Sequence, residues 1–211
     1  MFQKPPQIIY STLQATLKMN TIMKNFRIEI KVDGEKHNTL ADILPDKENL
    51  EILFIAKTPA PKSVEAGHYF QGRQGTMFWN KLSEYNILNV PFGKYADEYL
   101  LSNNYGITDI VKVPRDYGNE PSDEEYKKGL QRIIKIIEKY KPKVIVFVYK
   151  KVLDNIIKLN FGINRKSNYG FNQQLDTHFK SKVFVFPMPG TPCTREQAKQ
   201  SMTELKKIMK K

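Results

Sequence analysis

Thr58 stands two residues past the apolar run Ile52–Ala56 and is boxed in by Pro59 and Pro61, which makes it the first residue placed to do chemistry. Its hydroxyl can hold a water molecule but cannot act as a base near neutral pH. Tyr69, Phe70 and Arg73 follow on a Gly-punctuated stretch and supply two flat rings and a fixed positive charge. A second cluster, Met188-Pro189-Gly190-Thr191-Pro192, follows the apolar run at 183–186. Proline cannot continue a sheet ladder, so each run reads as a strand cut off by a rigid turn. Two such turns on one edge of a parallel sheet would face each other across a cleft, with rings and a cation between them. That combination suits a flat base carrying a phosphate. The bland alternative is that proline merely ends the strands while the aromatics plug the sheet edge.

The elements that must position these residues are legible from periodicity. Residues 26–32 alternate at period two and end in Asp33-Gly34, a strand followed by a turn. Residues 39–44 read as a short helical turn closed by Pro45. After the Gly-aromatic loop, Phe78, Trp79, Leu82 and Tyr85 keep helical spacing, which predicts a helix over 76–86. A short helix is expected near 96–101 and an extended segment over 106–114. Ser122 and Glu125 form a capping box ahead of a long helix whose apolar face runs from Tyr126 to Ile137. Residues 144–148 are a continuous β-branched run, a strand buried on both faces. A helix over 150–159 and a polar, Asn-rich loop to 176 come next. The strand at 183–186 leads, through Thr194 and Gln197, a second capping box, into a final helix. Strands alternating with helices give a mostly parallel sheet with helices on both faces, a three-layer αβα sandwich. Residues 39–211 are expected to form that α/β domain. Residues 1–38, with a loosely amphipathic run from Ile9 to Phe26, are expected to be an extension packed on it or ordered only in part.

Composition narrows the function classes. The 211 residues carry a formal charge of +12, which attracts polyanions such as nucleic acid. A lysine-rich, merely solvated surface is the competing explanation. One cysteine excludes an internal disulfide, a cysteine-based zinc site and an iron–sulfur cluster. The three histidines, His37, His68 and His178, have no partner at metal-ligand spacing. No apolar run approaches a membrane span, so the expectation is a cytoplasmic, intracellular protein.

In order and context these motifs resemble those of the uracil-DNA glycosylase superfamily, closest to its mismatch-specific uracil/thymine branch. Ala56-Lys57-Thr58-Pro59-Ala60 stands where that branch has Gly-Ile-Asn-Pro-Gly. Gly67-His-Tyr-Phe70, Gly72-Arg73 and Phe78-Trp79 match its Gly-aromatic block and the helix that follows. Residues 106–111, Gly-Ile-Thr-Asp-Ile-Val, match its Gly-Val-Thr-Asp-Leu-Val segment, and Met188-Pro189-Gly190-Thr191 its second motif. The similarity covers residue 40 to the end of the chain.

The resemblance implies a uracil-DNA glycosylase-like fold and base excision repair of DNA. A uracil or related deaminated or mismatched base is flipped into the cleft and its N-glycosidic bond is hydrolysed, by a monomer that needs no metal or organic cofactor. It implies Thr58 as the catalytic position, with Ala56, Lys57, Pro59 and Met188 around the base and Tyr69 or Phe70 stacked on it. Arg73, Pro189, Gly190, Thr191, Pro192, Cys193, Thr194 and Arg195 would wedge into the duplex or hold its backbone. The branch has Asn where this chain has Thr58, and other branches have an acidic residue. Cleavage is therefore expected to be slow or to draw on Glu65 or His68. The alternative is a catalytically weak or inactive nucleic-acid-binding member of the same fold. A small-molecule nucleotide hydrolase is disfavoured by the absence of a Gly-rich phosphate fingerprint after the first strand.

Overall fold

A computed structural model describes residues 25–116 and 118–209. The expected amphipathic run from Ile9 lies almost wholly outside the described residues. The sheet that carries the candidate site has five strands in the order β4-β3-β5-β7-β6. In it, β3 (Ile52–Ala56), β4 (Tyr105–Asp109), β5 (Val144–Phe147) and β7 (Lys182–Val185) are parallel, and β6 (Gly170–Phe171) runs antiparallel at the edge. The four parallel strands are buried on both faces except at Lys182, which is why they read as continuous apolar runs.

Helices cover both faces. Phe54, Val146 and Phe184 point into one apolar layer with Phe78 and Leu82 of α2 (Arg73–Glu84) and Met202 and Leu205 of α6 (Arg195–Met209). Leu53, Ile55, Ile145 and Val183 point into the other. There they meet Leu130, Ile133 and Ile137 of α3 (Asp123–Tyr140) and Val152 and Ile156 of α4 (Lys150–Phe161). The arrangement is the expected three-layer αβα sandwich, with a short, mostly parallel central sheet. Both capping boxes form. Ser122 and Glu125 exchange bonds of 3.2 and 2.8 Å, and Thr194 and Gln197 exchange two of 3.1 Å.

Three local expectations are corrected. Residues 39–44 are not a helical turn: β2 (Glu35–Leu40) pairs antiparallel with β1 (Arg27–Val32), and Ile43 bridges to Ile107. Asp33 and Gly34 both take positive φ, 48° and 92°, which closes a two-residue hairpin and pulls the following residues into register. The stretch after Ala60 is not all loop. Pro61 starts a short helix, α1 (Pro61–Ala66), where its missing N–H costs nothing, and left-handed Gly67 ends it. Finally, α2 opens at Arg73 rather than at 76, so Arg73 is the first helical residue. The polar loop before 176 supplies the edge strand β6, and a short helix, α5 (Asp176–Phe179), follows it. The tip of that loop is tied to α4 by Asp154, whose Oδ1 accepts from Ser167 N and Oγ, each at 2.7 Å.

Candidate functional site

Strand order decides what the two proline turns can reach. β3 and β7 flank β5, so the exit of β5, Val148-Tyr149-Lys150, stands between Thr58 and Met188. The turns are two strands apart, and the cleft is divided by a residue the motif comparison passed over. Val148, Tyr149, Phe186, Met188 and Thr191 line a cavity of about 530 Å³, with Lys150, Lys151 and Lys166 around it. Burial, with a contribution from Asp109, pushes the Tyr149 phenol up to about 12, so it stays a neutral hydrogen-bond donor. Tyr149 is also the N-cap of α4 and makes no side-chain cap. The first amides of that helix therefore carry partial positive charge without a capping partner.

The second motif is a type II turn, with Pro189 at the second position and Gly190 at φ 81° in the third. Thr191 Oγ1 donates to the Met188 carbonyl at 2.7 Å and locks it. Met188 is buried against the cavity, Pro189 and Cys193 are half-buried, and Gly190, Pro192, Thr194 and Arg195 are exposed. Burial raises the Cys193 thiol, which keeps it protonated rather than nucleophilic.

In the first motif, Ala56 is the last residue of β3 and is buried, as is Pro59; Thr58 is half-buried. The Lys57 ammonium is held by Glu120 at 2.9 Å, and Glu120 also receives Lys151 at 3.4 Å. The two rings of the first loop part company. Tyr69 is 2 % exposed, its hydroxyl donates to the Ala41 carbonyl at 2.9 Å, and Lys112 donates to that hydroxyl at 3.2 Å. Tyr69 is thus a core residue with no face for a base, a correction to its candidacy. Phe70 takes the left-handed φ of 58° and turns its half-buried ring onto Phe78, with centroids 4.9 Å apart. Phe78 in turn packs on Phe186 at 4.8 Å. Those three rings form a column from the first loop to the wall of the Met188 cavity.

His68 and Glu65 are not placed for chemistry. His68 is buried, stacked on Tyr95 at 3.6 Å and bonded through Nδ1 to Asp97 Oδ1 at 2.9 Å. The other oxygen of Asp97 accepts from Tyr69 N at 2.7 Å, and burial raises the Asp97 carboxyl. The dyad therefore anchors the backbone that presents Phe70. Glu65 is exposed on α1.

A carboxylate that motif reasoning treated only as part of a matching segment lies one strand from Thr58. Asp109 ends β4, in register with Ala56. It is 1 % exposed, its Oδ2 accepts no hydrogen bond among the described residues, and the Lys112 ammonium stands 3.6 Å away. Burial raises its carboxyl to about 6 against the pull of Lys112. Nearby, Asp42 feels burial too. Lys112 and Arg132, which it meets at 2.9 and 2.6 Å, outweigh that and hold it below the usual carboxylate range. A buried carboxylate at a strand's carboxyl end is a sequence-visible candidate only if the parallel register is known.

Sheet order, two proline turns on one edge, an apolar cavity ringed by lysines and a buried acid make a coherent ensemble. A family model described as the uracil DNA glycosylase superfamily matches residues 44–209, which include every one of these features, and the chain belongs to that superfamily.

Proposed function

We propose that the protein is a DNA glycosylase that rotates uracil, or a related deaminated or mismatched base, out of the stack and hydrolyses its N-glycosidic bond. The observation that carries this reading is an apolar cavity and, on the same sheet edge, a buried carboxylate with an oxygen that accepts no hydrogen bond among the described residues. Phe70 and its ring column supply the stacking face, and Met188 and Phe186 the apolar wall. Lys57 on the first motif, Arg73 at the start of α2 and Arg195 beyond the second motif serve phosphate contacts, with the exposed Pro192 and half-buried Cys193 as the wedge.

Asp109 takes the role that Thr58 cannot. Its carboxylate removes a proton from water as the water oxygen bonds to the sugar C1′, and the Thr58 hydroxyl orients that water. The C1′–N bond breaks with its electron pair leaving on the base. The resulting anion is met by the Tyr149 hydroxyl and the uncapped amides of α4. The base takes a proton from solvent on release. Assignment to the mismatch-specific branch rests on the motif comparison, and a monomer is the working state.

Oligonucleotides containing uracil, hypoxanthine or a thymine mismatch, followed by alkaline scission of abasic sites, test the reading. Strand scission is expected with at least one of them. No product from any substrate at enzyme excess would leave the second reading, a DNA-binding protein without chemistry. That reading is favoured by the near-complete burial of Asp109.

A further inference from the structure

A second cavity, of about 560 Å³, adjoins the first and shares Lys150, Lys166 and Tyr169 with it. It lies between the β6 loop and the first turns of α6, and the exposed turn residue Pro192 forms part of its rim. Its lining differs in kind from the Met188 cavity. Along one face of α6 it presents Gln197, Gln200, Ser201 and Glu204, and opposite them Asn168 and the Tyr169 ring. The Gln200 amide nitrogen donates to Glu204 Oε1 at 3.1 Å. Gln200 is exposed and Glu204 half-buried, and the bond between them leaves one oxygen on each for a ligand. A carboxylate beside two lysines, in a chain of net charge +12, is an unfavourable neighbour for phosphate but a good acceptor for an amino group.

We infer that this cavity is a second nucleotide subsite, which takes the base next to the flipped one on the same strand and selects a base with an amino group where thymine and guanine carry a carbonyl. The inference rests on the glycosylase reading for its ligand and adds a subsite to it. Lys166, on the shared wall, is placed to hold the phosphate that joins the two nucleotides, while the Lys150 ammonium is held by Asp154 at 2.7 Å. Tyr169 borders both cavities and gives the neighbouring base a ring to stack on. The Gln200 and Glu204 oxygens accept from the amino group of adenine N6 or cytosine N4. Thymine and guanine offer a carbonyl there, which meets the two oxygens without a proton between them.

The test uses binding, so that it does not depend on catalysis. Single-stranded oligonucleotides carry a non-cleavable tetrahydrofuran abasic analogue, with each of the four bases at either neighbouring position. Their affinity for the full chain is read by fluorescence anisotropy at fixed salt. On one side of the analogue, adenine or cytosine is expected to bind about 5-fold or more tighter than thymine or guanine. Gln200→Ala and Glu204→Ala should abolish that difference, weakening the contexts with adenine or cytosine and relieving the repulsion at thymine. Both residues lie on the outer face of α6, and unchanged thermal melting verifies the fold. Equal affinity for all flanking bases, or a preference that survives both substitutions, overturns the subsite. Base release with no flank preference would defeat the subsite alone. Flank-dependent binding without release would defeat only the chemistry.

Discussion

At position 58 a hydroxyl stands where water activation needs a base, and one strand away Asp109 keeps a carboxylate oxygen free of hydrogen bonds. The division of labour has a direct consequence: Asp109→Asn should lower kcat by about 10²–10⁴-fold, the usual worth of a general base. Thr58→Ala, which removes only an orienting hydroxyl, should cost about 10-fold or less. The pH profile carries the same signature. With its carboxyl near 6, Asp109 is ionised above that pH, so kcat/KM should fall tenfold per pH unit below about 6 and level off above it. The effect on stability has the opposite sense. A carboxyl raised from 3.8 to about 6 makes the folded protein bind more protons than the unfolded chain between those values. Its contribution is favourable at low pH and lost as pH rises, a cost of about 3 kcal/mol by pH 8. The groups facing it are Asp42, Lys112, Arg132, Tyr69 and Tyr149, and they only partly compensate. Asp109→Asn should therefore raise the melting temperature by about 6–12 °C at pH 8 and by little at pH 4. A variant both more stable and less active marks a residue kept for chemistry. Equal melting curves at pH 8 would show that Asp109 is not strained by its burial.

The first loop depends on one aromatic residue in a backbone conformation that bulky side chains rarely adopt. Phe70 holds φ 58° because the chain around it is fixed on both sides. Upstream, Asp97 grips Tyr69 N and His68; downstream, Gly75 of α2 lets the Phe70 carbonyl approach so closely that a Cβ there would sit 2.3 Å from it. Gly75→Ala should displace Phe70 and lower kcat/KM by at least 10-fold, more than Phe70→Leu, which retains an apolar face. Asp97→Asn should weaken the hold on His68 and do the same while lowering the melting temperature. Tryptophan fluorescence reports the displacement directly, since Trp79 lies 5.6 Å from the Phe70 ring. Much of this element pattern was legible in the sequence. Buried parallel strands declare themselves as apolar runs, and the Ser122 and Thr194 capping boxes mark helix starts within a residue. What stayed hidden is what depends on strand order. Nothing local says that β5 falls between β3 and β7, so Tyr149 could not be seen to divide the cleft, nor Asp109 to abut the Thr58 turn. Tyr69 and Phe70 are adjacent and both aromatic. Only the left-handed turn at Phe70 decides which ring enters the core.

Across the whole molecule, a net charge of +12 meets a carboxylate that ties two of the lysines together. Glu120, on the loop between β4 and α3, holds Lys57 from the first motif and Lys151 from the start of α4 at once. Burial works against its ionisation, but the two ammonium groups outweigh it and hold its carboxyl below the usual range, so the latch is charged at neutral pH. Both lysines must leave Glu120 to reach phosphate, and the carboxylate left behind repels the backbone. If Lys57, Arg73, Lys150, Lys151, Lys166 and Arg195 each neutralise one phosphate, affinity should fall about 10³-fold between roughly 50 and 200 mM salt. Glu120→Gln removes both the restraint and the repulsion. DNA should then bind tighter at every salt concentration, with a steeper dependence on salt as two freed lysines engage phosphate more fully. The same variant should release product more slowly, because the abasic strand carries the same phosphates. Burst kinetics separate that effect from chemistry: the single-turnover rate should hold while the steady-state rate falls. An unchanged salt slope in Glu120→Gln would place Lys57 and Lys151 outside the DNA path and confine the phosphate contacts to the second motif and its neighbours.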